Sequence, residues 1–180
     1  LTLPGHLGSI PTALDVIVKR FGEEIQPEDM YIMNDPFDGG MHLPDIFIFK
    51  PIFWEGKKVA FAATICHHVD VGGRVPGSNA SDSTEIYQEG LRIPPMKLYD
   101  QGKLNETLWM MIEKNVRMPV QIFGDLRAQL AACTIAERQF LELIERFGAE
   151  NVDAYMAEII DYAERLTRAA VKGLPDGEYD

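Results

Sequence analysis

The chain has 180 residues, enough for one hydrophobic core or for part of a larger one, and its 46% apolar and 25% charged residues are typical of a globular protein. Its formal net charge of -11 argues against nucleic acid or an anionic membrane surface as a partner. The apolar runs are too short to span a bilayer and the two cysteines form no paired motif, so we expect a cytoplasmic protein.

The N-terminal part of the sequence predicts a helix followed by a short strand. Ser9 is a candidate helix cap, and apolar residues then recur at helical spacing until Gly22. Residues 30–33 are apolar and lead into a dense polar segment, residues 34–45. We therefore expect a structural helix, a connector and a strand ahead of the first candidate site.

Two polar segments flank a predicted β-hairpin. The apolar runs 46–49 and 59–65 favour strands, and the residues between them include Gly56, which can take the positive φ of a tight turn. Antiparallel pairing about that turn brings Asp45 beside His67 and His68. With His42, three of the four histidines then meet at the open end of the hairpin.

This convergence predicts a divalent metal site. Imidazole nitrogen together with carboxylate oxygen favours Zn, Mn or Fe, and the sequence has no cysteine cluster that would indicate a structural site. Asp35 and Asp38, in the first polar segment, lie close to Gly39 and Gly40. Short carboxylates near Gly often cap a turn, and this is the structural role that we expect for them without a metal.

The register of the hairpin decides which histidine shares a face with Asp45. Side chains alternate across a strand, so a slip of one residue exchanges the two faces. A two-residue turn at Glu55-Gly56 places His68 on the face of Asp45, whereas one additional residue places His67 there. Both registers are compatible with the sequence.

Residues 70–95 form the longest irregular stretch and are dense in Gly, Pro, Ser and Asp. Long loops inside compact domains are often functional. Arg74, Ser78 and Glu89 are candidate contacts for a polar substrate. The alternative is that these side chains satisfy the backbone of the loop itself.

Three helices are predicted after residue 104. They run from Asn105 to a point before Pro119, from about Gly124 to Phe147, and over about 152–172. We therefore predict an α/β fold, with α+β as the alternative. A hairpin-based sheet carries the metal site in residues 1–104, and a three-helix half of the same domain occupies residues 105–180.

The polar motifs together resemble those of the hydantoinase B/5-oxoprolinase family. That family includes the B subunits of ATP-dependent hydantoinases, oxoprolinases and caprolactamase, and the related subunits of acetone and acetophenone carboxylases. The resemblance covers nearly the whole chain, and the matching residues are 34–45, 67–73, 76–78, 88–94, 115–117 and 124–129. Because family members are several times longer, we expect this chain to be a fragment of a larger subunit.

The resemblance implies a set of site residues. The metal ligands would be His42, Asp45 and His67, with Asp35 among the neighbouring candidates for a fourth ligand. Because they lie close in sequence to these ligands, His68 or Asp70 is also our candidate for the general base. Three further residues acquire a possible site role from the resemblance, with local packing or a solvated helix surface as the alternative: His6, Asp125 and Gln129.

The resemblance also implies a division of labour between subunits. A hydantoinase A-type partner would bind ATP and phosphorylate a small cyclic amide, since this sequence contains no nucleotide-binding loop motif. The present chain would then open the ring with a divalent ion, Zn, Mn or Mg, in a hetero-oligomer. The alternatives are a subunit of an acetone- or acetophenone-type carboxylase and a non-catalytic scaffold subunit.

Overall fold

The computed structural model describes residues 6, 8–175 and 177. Within that part of the chain the α-helices and strands are, in order, α1 (Ser9–Phe21), β1 (Met30–Met33), β2 (Asp45–Trp54), β3 (Lys57–His67), β4 (Met96–Asp100), β5 (Lys103–Leu104), α2 (Glu106–Asn115), α3 (Pro119–Phe147) and α4 (Ala149–Val171). The predicted class is confirmed: a sheet that contains the hairpin is followed by three helices.

The five strands form one antiparallel sheet in the order β3-β2-β1-β4-β5. Strand β2 pairs on one side with β1 and on the other with β3. It is the longest strand with two neighbours, and its first eight residues are buried. The predicted hairpin is therefore the β2–β3 pair, with β3 at an edge of the sheet.

Strand β2 is buried because helices cover both of its faces. Phe47 and Phe49 point to one face and share a core with Ala13 and Ile17 of α1. Lys50 points to the opposite face, where it pairs with a residue of α3. Strands covered on both faces have continuous apolar sequences, as β2 does apart from Asp45 at its start and this lysine.

Lys50 is a buried cation within the apolar strand, only 2% exposed. Its ammonium lies 2.9 Å from a carboxylate oxygen of Glu137 and 3.1 Å from one of Glu28. Burial acts to lower the pKa of Lys50, but the two carboxylates outweigh it and raise that pKa. The lysine is therefore protonated, and the carboxylates of Glu28 and Glu137 balance its positive charge.

The hairpin turn and a bulge together set the register of β2 against β3. The turn is Glu55-Gly56, with φ of 48° and 76°, and it joins the facing residues Trp54 and Lys57. The pairing then shifts, because Lys58 faces Phe53 whereas Ala60 faces Ile52. Val59 is thus an extra residue on β3, a β-bulge.

The bulge brings His67 opposite Asp45, so that His67 rather than His68 lies on the face of Asp45. A regular ladder from this two-residue turn would have placed His68 on the face of Asp45. The single additional residue that moves His67 there lies in the strand and not in the turn.

The chain divides into two compact units, Leu1–Glu137 and Arg138–Asp180. The first contains the sheet and the change from strands to helices after β5. The boundary between the units falls within α3, further along the chain than residue 104. In the second unit, Ile144 and Val152 are buried.

Among the described residues, no helix combines the length and the apolar character that a membrane crossing requires.

The loop after β3 approaches its neighbours closely at Gly72. This glycine has a φ of +94°, and a Cβ added to it would lie 2.5 Å from the carbonyl oxygen of Asn115. Gly77, in the same loop, has a similar φ of +81°, but the nearest atom to an added Cβ is 3.9 Å away. The two glycines share one backbone constraint and differ in the space around them.

We expect Gly72→Ala to destabilise the protein more than Gly77→Ala does. The left-handed conformation costs about 1–2 kcal/mol in either variant, and the clash adds about 1–3 kcal/mol at Gly72 only. Chemical denaturation of the two variants measures the difference in unfolding free energy. Equal losses would contradict the close approach.

Candidate metal centre

The centre lies where β2 begins and β3 ends. A turn closed by a hydrogen bond from the Asp45 amide to the His42 carbonyl places His42 beside the first residue of β2. Cross-strand pairing places His67, the last residue of β3, opposite Asp45. The ring centroids of His42 and His67 are 4.9 Å apart. One ligand atom from each of the three residues lies within 4.8 Å of the other two.

The carboxylate at the centre is buried, and the two imidazoles beside it are partly open to solvent. The Asp45 side chain is 1% exposed, whereas those of His42 and His67 are 42% and 41% exposed. A small molecule therefore has access to the imidazoles, while the carboxylate is held within the protein.

The two oxygens of Asp45 have different surroundings. Oδ1 lies 3.2 Å from Nε2 of His6 and 3.2 Å from Nδ1 of His67. Oδ2 lies against Nδ1 of His42 and has no hydrogen-bond partner among the described residues. Buried carboxylate oxygens are normally satisfied by a donor or an ion. Carboxylate oxygen with imidazole nitrogen is a donor set that divalent transition metals accept, so these residues fit such an ion.

His6 lies at this centre, although only the resemblance suggested it. Its side chain is buried and contacts Asp45 from just before α1. Ser9 was predicted as the cap of that helix, and this prediction is wrong. Gly8 occupies the cap position without a side-chain bond, and the Ser9 hydroxyl instead donates to the His6 carbonyl. Ser9 therefore helps to hold His6 rather than the helix end.

His68 lies on the other face of the sheet, towards α3. Its Nε2 is 2.9 Å from Oε1 of Gln129, and the residue is completely buried. Burial, which disfavours the imidazolium, lowers the pKa of His68 below its ordinary value, although the bond to Gln129 and the charge of Asp125 act in the opposite direction. His68 is therefore neutral at pH 7. Asp125 is exposed and lies one helical turn before Gln129.

Asp35 is not part of the group of closely spaced ligand atoms. Its carboxylate accepts hydrogen bonds from Nη2 and Nε of Arg92, at 2.7 Å and 3.0 Å, and from the amide of Phe37 at 3.0 Å. The last contact caps the short helical turn 36–38. These contacts match the turn-capping alternative for Asp35, with an additional ion pair to Arg92.

Asp70 fastens the loop after β3 to the segment between α2 and α3. Its buried carboxylate accepts from the amides of Gly72, Gly77 and Arg117 and from Nη1 of Arg117, all at 2.9–3.1 Å. Burial alone would raise the pKa of Asp70, but these donors outweigh it and hold the pKa below its usual value. The carboxylate is thus ionised and fully engaged within the protein.

The three predicted substrate contacts have different surroundings. The Ser78 hydroxyl accepts from the Val71 amide and donates to the Gly72 carbonyl, both at 2.8 Å, and thus satisfies the loop backbone. Arg74 pairs with exposed Asp82. Glu89 lines a surface pocket that also includes Arg92.

Sequence reasoning missed Asn34 and Arg92, which join the first polar segment to the loop. The side-chain nitrogen of Asn34 donates to the carbonyls of Leu43 and Leu91 at 2.7 Å and 2.9 Å. Its side-chain oxygen accepts from the backbone amide of Ile93 at 2.7 Å. Arg92 balances the buried charge of Asp35. Both lie in the motifs that carry the family resemblance, which was the available signal.

An antiparallel sheet between helices, with a buried aspartate and flanking histidines at one end, defines a domain of the α/β class that carries a candidate metal site. A family model described as hydantoinase B/oxoprolinase matches residues 1–180, and the chain belongs to that family.

One relative is the caprolactamase subunit beta of Pseudomonas jessenii, 40% identical over 177 residues, which are 98% of this chain and 30% of that protein. The crystal structure of the ATP-dependent caprolactamase from the same organism matches with a TM-score of 0.87 and 40% identity, over 96% of this chain and 30% of that one. A nucleotide-free acetone carboxylase structure matches with a TM-score of 0.76 and 25% identity, over 81% and 20%. The chain spans about a third of the length of the curated relatives it matches.

We expect Asp70→Asn to destabilise the protein at pH 7 by roughly 2–3 kcal/mol, the usual contribution of hydrogen bonds to a charged group. The native pKa of Asp70 is depressed, so its contribution is complete above the ordinary aspartate pKa and is lost as the pH falls through the native value. Unfolding free energies measured from pH 7 down to pH 2 should therefore converge for the variant and the wild type.

Asp82→Asn is the matched control for that comparison. Asp82 also pairs with an arginine, but its side chain is 79% exposed, and exposed pairs contribute little. A loss for Asp82→Asn equal to that for Asp70→Asn, or a gap for Asp70→Asn that does not close in acid, would contradict the role assigned to Asp70.

Proposed function

We propose that this chain carries the metal site of an ATP-dependent cyclic-amide hydrolase of the hydantoinase B type. The observation that supports this most strongly is the group formed by His42, Asp45 and His67, whose ligand atoms all lie within 4.8 Å of one another. The carboxylate in this group is buried, and its Oδ2 has no hydrogen-bond partner among the described residues. Family membership and the similarity to a caprolactamase subunit support the cyclic amide as substrate class.

The proposed reaction is divided between two subunits of a cytoplasmic hetero-oligomer. An unstrained amide carbonyl is a poor electrophile, and phosphorylation of its oxygen supplies a good leaving group. A hydantoinase A-type partner would perform this step, because the present sequence has no nucleotide-binding loop motif. The phosphorylated ring would then be opened at the centre described above.

The residues of the centre have distinct proposed roles. A divalent ion, Zn, Mn or Mg, would supply Lewis acidity and acidify water at neutral pH. Asp45 presents Oδ2 from the protein interior, and His42 and His67 present nitrogens on the open side. His6, on Oδ1 of the same carboxylate, orients Asp45. Substrate would approach from the side of the two half-exposed imidazoles.

The predicted role of His68 or Asp70 as general base stays a prediction. Asp70 has its carboxylate engaged by four donors. His68 is completely buried. These surroundings favour supporting roles for both residues rather than direct contact with substrate.

A carboxylase subunit is the second candidate function. The similarity to acetone carboxylase, with a TM-score of 0.76 over 81% of this chain, favours it. The same centre would then direct an activated ketone enolate towards bicarbonate. A scaffold subunit, the third alternative, would bind no metal at this place.

We expect Asp45→Asn to weaken metal binding by more than about 100-fold, beyond the loss that follows removal of a supporting residue. The variant replaces one carboxylate oxygen at the centre with an amide. Elemental analysis and competition with a chromophoric chelator for Zn and Mn, on the purified complex, measure the effect.

Asp38→Asn is the control, since it makes the same change in the same polar segment outside the ligand group. It should retain the metal content and the affinity of the wild type. Wild-type protein that holds no stoichiometric divalent ion would contradict the proposed centre and favour the scaffold alternative.

We expect the complex to hydrolyse ATP in response to a cyclic amide, because O-phosphorylation precedes ring opening. Phosphate release is measured with hydantoin, 5-oxoproline or caprolactam, and in parallel with acetone or acetophenone plus bicarbonate. Stimulation by the ketones alone would replace the hydrolase proposal with the carboxylase.

A further inference from the structure

Two buried polar side chains join α3 to the end of the hairpin beside the candidate metal centre. Oε1 of Gln129 lies 2.9 Å from Nε2 of His68, and Nε2 of Gln129 lies 2.9 Å from the carbonyl oxygen of Ile46. Gln129 is 5% exposed and His68 is fully buried. Solvent therefore does not substitute for either partner.

The chemistry of these groups determines where the protons lie. A carbonyl oxygen only accepts, so the Gln129 nitrogen must be the atom that faces Ile46. The Gln129 oxygen, which also only accepts, then faces His68, and Nε2 of His68 must donate. Nδ1 is buried and has no hydrogen-bond partner among the described residues. A buried N–H without an acceptor is unfavourable, so Nδ1 is the ring nitrogen that carries no proton.

The backbone of His68 is fixed at the same time. Its amide donates to the carbonyl of Pro44 at 2.8 Å, directly before Asp45. His67, the preceding residue, has its ring on the opposite face of the strand, next to Oδ1 of Asp45. Rotation of the strand end would therefore move the rings of His67 and His68 together.

We propose that Gln129 is a positioning residue: it fixes His68 as the Nε2–H tautomer and so holds the end of β3 with His67 directed at Asp45. The inference rests on the proposed metal function to the extent that His67 is a ligand. The tautomer of His68 does not depend on that function. A Gln129 that only packs α3 against β2 would leave the tautomer and the metal affinity unaffected when it is replaced.

The first test reads the tautomer directly in the metal-free protein. The intact protein is labelled with ¹⁵N-histidine, and long-range ¹H–¹⁵N spectra, assigned with single histidine variants, report the ring proton of His68. The expected spectrum shows Nε2 protonated and Nδ1 bare. An Nδ1–H tautomer in the wild type would overturn the inference without any bearing on metal binding.

The second test compares Gln129→Met with Gln121→Met, the same change at an exposed position of α3. Methionine accepts no strong hydrogen bond, so we expect mixed tautomers of His68 and about tenfold weaker zinc binding, as for loss of other supporting residues. The control should match the wild type in both readouts. Unchanged tautomer and affinity in folded Gln129→Met would overturn the positioning role.

Gln129→Glu provides a second variant should Gln129→Met fail to fold. Its carboxylate still accepts from Nε2 of His68, so we expect Nε2 to stay protonated and zinc binding to weaken by less than about tenfold. A bare Nε2, or zinc binding more than about tenfold weaker in folded Gln129→Glu, would count against the inference. Wild-type protein that binds neither zinc nor manganese would count against the proposed function, and the tautomer result would still stand.

Discussion

The pairing of Asp45 with His67 across β2 and β3 is the interaction on which the candidate centre depends. These residues are 22 positions apart in the chain, and only the hairpin brings them together. Because strand side chains alternate, a slip of one residue would replace His67 by a residue from the opposite face. The bulge at Val59 determines this outcome, although it lies far along β3 from the centre.

The same alternation gives two adjacent histidines different environments. His67 lies on the face of Asp45 and is half-exposed, whereas His68 is buried against α3. One is available to an ion or a small molecule, and the other joins the strand end to Gln129. The two adjacent histidines therefore differ in their relation to the candidate centre. His67 presents its ring there, whereas His68 holds the end of the strand in place.

Much of the fold and of the ligand group was predictable from the sequence, and the failures have local causes. The apolar runs and Gly56 predicted the hairpin, and its ends predicted that His42 and Asp45 would meet one of two adjacent histidines. Only the family resemblance selected His67, the histidine that the structure places in the group. The register was not predictable, because nothing in the apolar residues around Val59 distinguishes a bulge from a regular ladder.

Two further differences arise from tertiary contacts and helix ends. The bond between Asp70 and Arg117 spans 47 residues, so no local pattern shows that the carboxylate is already engaged. The long helix was predicted to begin near Gly124, but it begins at Pro119. Proline suits the first helical position, since the amide hydrogen that it lacks would have no partner there.

The buried ammonium of Lys50 has a consequence for how the chain avoids wrong pairings during folding. In the native register it reaches two carboxylates on the α3 side of β2. In a hairpin displaced by one residue, it would instead enter the layer of phenylalanines beneath α1, away from Glu28 and Glu137. Removing one partner from a buried ion pair is strongly unfavourable. A lone lysine in an apolar strand therefore disfavours the competing alignments that apolar side chains alone would tolerate.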